Sequence, residues 1–213
     1  MLALSKRWQK LWQEVGGRES HRKILFDDLM HCYREPWRTY HALPHVEAMF
    51  AEFDAFRGSE ESRFVDSAAV EMSAWYHDAI YYPLAKDNEE RSAELFRMVG
   101  ECSGLTDHFI QKVVLGILAT KHQRVSDDLT IRTLCDLDLT ILGYPETSFD
   151  EYERQIRKEY VSVPEDQFRA GRSSILRMFT LRPSIYSMRF FHEKYEEQAR
   201  KNLARSIARL SER

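Results

Sequence analysis

Turn-forming residues are scarce in this chain. Its 213 residues include eight glycines and six prolines, about 7% of the chain, where average usage is about 12%. That shortage excludes collagen-like, linker-rich and low-complexity sequences. It also disfavours a β-sandwich or small barrel, which needs many Gly, Pro and Asn turns. Cysteines are few as well. Cys32, Cys102 and Cys135 are odd in number and far apart, with no CxxC, so neither a disulfide framework nor a thiolate zinc site is expected. A reducing cytoplasm is the expected compartment. No apolar run approaches the ~18 residues of a membrane span; the longest is Val113 to Ala119. Lys6, Arg7 and Lys10 interrupt the apolar residues at the start, unlike a secretory signal. Charge of one sign is also missing. The 31 basic and 34 acidic residues nearly cancel, which gives no whole-chain electrostatic case for a nucleic-acid polymer as partner.

What is present is helical periodicity from end to end, with no sustained period-two alternation. The pattern predicts a single all-α domain over residues 1–213, built as a helical bundle of about nine or ten helices. Trp8, Leu11, Trp12 and Val15 share a face of the first helix, capped by Ser5; that stripe is expected to be core rather than a dimer face. Pro44 suits the first turn of a helix. A helix from about Ser59 to His77 is expected next, then an irregular stretch over Ile80 to Asp87. Thr106 opens another helix. Asp127 or Asp128 opens one expected to run on to Gly143, and Ser148 with Glu151 reads as a capping box. Oligomeric state is not legible.

Eight histidines are spread along the chain, and company distinguishes a ligand from a structural imidazole. His41 and His45 bracket a short segment. His77 is followed by Asp78 where an apolar helix ends. Imidazole with carboxylate suits a divalent transition metal such as zinc, iron or manganese. The segment Thr130 to Leu142 adds a sharper argument. Residues three and four apart share a helical face, so Asp138 lies beside Leu134, Cys135, Ile141 and Leu142, the face expected to enter the core. Asp136 lies about 200° away, beside Arg132 and Thr133 on another face. A carboxylate among apolar neighbours must be neutralised, paired or metal-bound. Asp138 is therefore the candidate ligand, with a buried Arg or His partner as the plain alternative, and Asp136 is expected to be an acceptor or cap.

A His on one helix, a His-Asp doublet at a later helix end and an Asp on a further helix resemble the HD superfamily of metal-dependent, all-helical phosphohydrolases. The words Tyr40-His41-x-x-x-His45, Trp75-Tyr-His-Asp-Ala-Ile-Tyr81 and Leu137-Asp138-Leu139 carry the resemblance. Further words, including Asp87-Asn-Glu-Glu, Ala119-Thr-Lys-His122 and Asp136-x-Asp-Leu-x-Ile-Leu-Gly143, resemble a bacterial subgroup of predicted HD phosphohydrolases over most of the chain. The resemblance implies His45, His77, Asp78 and Asp138 as ligands of a divalent metal ion (zinc, manganese, iron or magnesium). It implies a metal-activated water acting on a small phosphorylated substrate, a nucleotide by inheritance from the superfamily. Asp78 or Asp138 would orient that water and His41 would protonate the leaving oxygen, against a plainer role for His41 as a support behind the ligands or a loop anchor. Lys121 and His122 are expected to touch substrate phosphate, or His122 a second metal. Few histidines lie between the doublet and Asp138, which favours one ion. Arg38, Lys86 and Arg91 are weaker phosphate candidates, set against simple surface charge. Two rivals stand beside this reading: an HD-fold iron-dependent oxygenase, and a non-catalytic module binding metal and nucleotide.

Overall fold

The computed structural model describes residues 1–212 and is entirely helical, with no strand among the described residues. Ten α-helices follow in order: α1 Leu2–Glu14, α2 Glu19–Cys32, α3 Leu43–Phe56, α4 Ser67–Tyr76, α5 Asn88–Ser103, α6 Asp107–Ala119, α7 Leu129–Asp138, α8 Glu146–Glu159, α9 Glu165–Thr180 and α10 Arg189–Ser211. Short 3-10 turns occupy Glu61–Phe64 and Thr140–Gly143. Among the described residues no helix is long and apolar enough to cross a membrane.

Helix α4 is the central element. Every residue from Ala69 to Tyr76 is buried, as expected of a helix surrounded on all sides. It touches α1, α3, α5, α6 and α7. Trp75 is the hub of an aromatic cluster, with Trp8, Phe26 and Phe50 rings at 5.7, 6.1 and 4.8 Å. The tryptophan stripe of α1 is thus core: Trp8 and Trp12 are buried, and their indole N–H groups donate to the carbonyls of Arg22 and Arg18. Those two bonds fix α1 against the start of α2.

Several helix starts differ from the sequence expectation. Ser5 lies inside α1, which begins at Leu2. The helix expected from Ser59 starts only at Ser67, because Asp66 accepts from Ala69 N at 3.1 Å and caps α4 there. Ser148 likewise sits within α8, whose first turn follows Pro145. Thr106 and Asp128 do cap α6 and α7 through their side chains. The Asp138 helix stops at Asp138 itself and tightens into the turn Thr140–Gly143.

That tightening is tied to α10. Asn202, fully buried, donates from its amide to the carbonyls of Leu142 and Tyr144 at 2.9 and 2.8 Å. Gly143 lies against Tyr195, and a Cβ there would stand 2.5 Å from Tyr195 Cβ and 2.8 Å from its carbonyl oxygen. Gly143→Ala is therefore expected to push α10 off this turn and to destabilise the protein by roughly 1–3 kcal/mol, the usual cost of overpacking. Denaturant titration measures it; an unchanged midpoint would remove this contact from the account.

Candidate metal centre

Four helix ends converge on one corner. His45 is in the first turn of α3, with Pro44 pre-setting the backbone before it. His77 follows α4 and Asp78 follows His77. Asp138 ends α7. His122 follows α6, in the segment leading to α7. The Nε2 atoms of His45 and His77 face each other at 3.2 Å. Asp138 Oδ1 lies 3.0 Å from His45 Nε2 and 3.7 Å from His77 Nε2. One ligating atom from each of these three residues falls within 4.8 Å of the others.

The hydrogen bonds around the corner decide which atoms face inward. His77 Nδ1 is 3.0 Å from the carbonyl of Ala74. A carbonyl only accepts, so Nδ1 carries the hydrogen and a neutral His77 directs its Nε2 lone pair at His45. A ligating histidine commonly has its other nitrogen fixed this way. The spacing also fits a shared cation. Donors bound at about 2.1 Å with angles between tetrahedral and right stand roughly 2.9–3.4 Å apart. His45–His77 and His45–Asp138 lie in that range, and His77–Asp138 is slightly wider. Imidazole with carboxylate is the donor set of zinc, iron and manganese rather than of calcium.

Asp78 and His122 flank this triad. Asp78 Oδ2 is 3.0 Å from His77 Nε2, and His122 Nε2 is 2.8 Å from Asp138 Oδ2. Burial favours neutral Asp138, but hydrogen bonds from His122 and His45 outweigh it and hold the carboxyl well below its ordinary range. Burial opposes protonation of His77, yet Asp78 and Asp138 overcome it and move the imidazole up to about 9. For Asp78 burial again opposes ionisation, and the His77 and His41 charges pull it below the usual carboxylate range. His122 has φ 54, the one positive φ outside glycine among the described residues. Its carbonyl is held by Arg182. A β-carbon-bearing residue kept in that region is strained, and here the conformation delivers the ring to Asp138.

His41 sits beside the triad and is anchored by Glu159. The Glu159 side chain is fully enclosed. Its Oε1 accepts from the backbone N–H groups of Thr39, Tyr40 and His41 at 2.7, 2.7 and 2.9 Å. Its Oε2 is 2.6 Å from His41 Nδ1 and accepts from the Tyr81 hydroxyl at 2.8 Å. The His41 ring also stacks on Tyr81 at 4.1 Å. With Nδ1 committed, Nε2 is the atom left to act in the cavity. Burial would lower the His41 pKa, but the Asp78 charge and the Glu159 hydrogen bond raise it. Those same bonds take Glu159 down to about 2 against its own desolvation.

Sequence reasoning did not identify Glu159 as part of the site. It lies 118 residues from His41; the word Ile156-Arg-x-Glu-Tyr160 belongs to the subgroup resemblance, but nothing in it says what its glutamate binds. The other expected residues divide clearly. Arg38 is neither a phosphate contact nor a surface charge: its enclosed guanidinium donates to the carbonyls of His41, Asp78 and Ala79 and pairs with Glu35. It staples the His41 loop to the His77–Asp78 turn. Lys121 turns from the triad, its ammonium held by Glu90 and the Lys86 carbonyl. Asp136 is more enclosed than Asp138, although the periodicity put Asp138 on the core face. The reason is that the approach to α10 covers the Arg132–Thr133 side of α7. Asp136 accepts there from Ser187 N and Met188 N at 2.8 and 2.7 Å. Burial, opposed by those bonds, raises it to about 7.

The corner forms one end of a cavity of about 450 Å³. Tyr40, His41, His77, Asp78, His122 and Asp138 make that end, and α8 and α9 supply most of the remaining wall. No protein-family model, curated protein or solved structure matches the chain.

Proposed function

We propose that the protein is a metal-dependent phosphohydrolase of the HD type, acting on a phosphate ester of a small molecule. One observation carries the reading: the His45 and His77 Nε2 atoms and Asp138 Oδ1 converge at 3.0–3.7 Å beside an imidazole, His41, whose Nε2 is free for the cavity. His45, His77 and Asp138 would hold a divalent cation, with Asp78 completing the set on the cavity side. Such a cation lowers the pKa of a bound water and polarises a phosphoryl oxygen.

The chain's own groups supply the rest. Asp78, ionised and 3.0 Å from His77 Nε2, accepts a hydrogen bond from an attacking water and orients it. His41 holds a proton at Nε2 and gives it to the leaving oxygen. Its raised pKa keeps that proton available near neutrality, where a general acid is most effective. Glu159 stabilises the protonated ring and fixes its orientation through Nδ1. His122 holds Asp138 Oδ2 and so sets the direction of that carboxylate. The resemblance in sequence and the convergence of these residues point the same way.

The test is a hydrolysis screen over nucleotides and phosphate esters with Mn²⁺, Zn²⁺, Fe²⁺ or Mg²⁺ added to chelator-stripped protein. Metal-dependent release of phosphate is expected. Two irons per chain with oxygen-dependent turnover would instead mark an oxygenase. Full metal content with no hydrolysis across the screen would mark a binding module.

A further inference from the structure

Beyond its metal corner the cavity has a largely apolar wall. Ile156, Phe168, Ile175, Leu176 and Phe179 line it from α8 and α9, with Leu142 beneath them. Fixed positive charge is almost missing from this wall. Among the described residues Arg172 is the one Lys or Arg lining the cavity, and its guanidinium is already bound to Glu153 and to the Tyr152 hydroxyl, 2.7 Å away. Lys121 does not line it and is held by Glu90 and Glu89. The remaining lining carboxylate, Glu89, is partly desolvated and bears a negative or neutral head. Enzymes that act on di- and triphosphates commonly neutralise the added charge with Lys or Arg clamps beside the metal. None is free here. Among the uncharged polar groups of the wall, Asn88 bonds both backbone groups of Tyr82 and the Thr120 hydroxyl donates to the Ile117 carbonyl, while Tyr160 and Gln167 add polar but uncharged groups.

From this we infer that the ligand of the cavity is a monoester carrying a single phosphoryl group and a flat apolar or aromatic body, and that α8 and α9 select it while polyphosphates are refused. The inference rests on the phosphohydrolase reading for the position of the phosphoryl group at the metal corner. The body then lies along the α9 wall. Gly171 is the open place on that wall: it lines the cavity, and a Cβ added to it meets nothing within 4 Å, so a larger side chain there takes up space at the cavity wall without disturbing the core.

The test separates binding from turnover. Mn²⁺-loaded protein is titrated calorimetrically with 1-naphthylmethylphosphonate, which resists hydrolysis, with 2-hydroxyethylphosphonate as a small polar counterpart, and with inorganic tripolyphosphate at matched free Mn²⁺. Naphthylmethylphosphonate is expected to bind at least tenfold tighter than either. In Gly171→Leu that preference should fall at least fivefold, with helical circular dichroism and metal content checked in the same sample. Tripolyphosphate binding within threefold of the naphthyl compound would overturn the inference. So would an aryl preference unmoved in the folded, metal-loaded Gly171→Leu protein. Turnover of 1-naphthyl phosphate is followed separately. Tight aryl binding without turnover would uphold the selectivity and overturn the hydrolase reading instead.

Discussion

Asp138→Ala is expected to leave the purified protein with less than about a tenth of an equivalent of tightly bound metal and to lower phosphate-ester hydrolysis roughly a thousandfold or more. The expectation follows from how many groups meet at this carboxylate. Oδ1 faces His45 and His77, and Oδ2 faces His122. Removing it leaves two Nε2 atoms 3.2 Å apart, with Asp78 beside His77 and no carboxylate against His45, so the imidazoles repel one another when protonated. Asp138→Asn separates chemistry from folding. It keeps the volume and one acceptor while removing the charge. It should retain the wild-type far-ultraviolet spectrum and still lose metal, measured by inductively coupled plasma mass spectrometry after dialysis. Full metal content in either variant would remove Asp138 from the ligand set.

Glu159→Gln should have the second largest effect, and it reads out in stability as well as in activity. The carboxylate answers five donors, three of them backbone amides of Thr39–His41. An amide turns two of its own hydrogens toward that ring of donors. Breaking a buried charged hub of this kind costs about 3–5 kcal/mol, or a fall in Tm on the order of 10 °C for a chain this long. The pH dependence carries the sign. Glu159 titrates near 2 when folded, below its ordinary 4.5, so its contribution is present above the unfolded value and is lost as pH falls toward 2. His41 is raised above its ordinary 6.5, so its contribution is present below 6.5 and is lost as pH rises through the folded value. Metal-free wild-type protein should therefore gain most from the pair between about pH 4.5 and 6.5. Melting curves of the variant should show a flatter profile on both sides. An identical profile would detach Glu159 from His41.

The legible part of this protein was the part written in local pattern. Few turn-formers and unbroken 3.6-residue periodicity pointed to an all-helical chain, and the structure is one. Pro44, Thr106 and Asp128 marked helix starts because their effect is local to one turn. Ser5, Ser59 and Ser148 did not, since a hydroxyl in the right register is common and a longer-range contact decides which one is used. Asp136 and Asp138 show the limit at the site itself. Helical phase separated them correctly by direction, but it assigned burial by counting neighbours on α7 alone, and the covering element comes from fifty residues downstream. Glu159 shows the same limit more strongly. Its importance lies in what it holds together, and no window of the sequence contains both ends of those bonds.

That distance has a consequence for the order in which the chain can complete itself. All the residues that line the metal corner precede Pro183, and the residues that close it do not. Asp136 waits for the amides of Ser187 and Met188, and the turn after Asp138 waits for Asn202. On a ribosome, where the chain emerges from its N-terminus, the helices around α4 have their partners early. The Asp138 segment gains its last ones only as α10 appears. A chain stopped at α9 would carry every metal-facing side chain and still leave Asp136 without the segment that covers it and donates to it, so the corner matures only once α10 has been made.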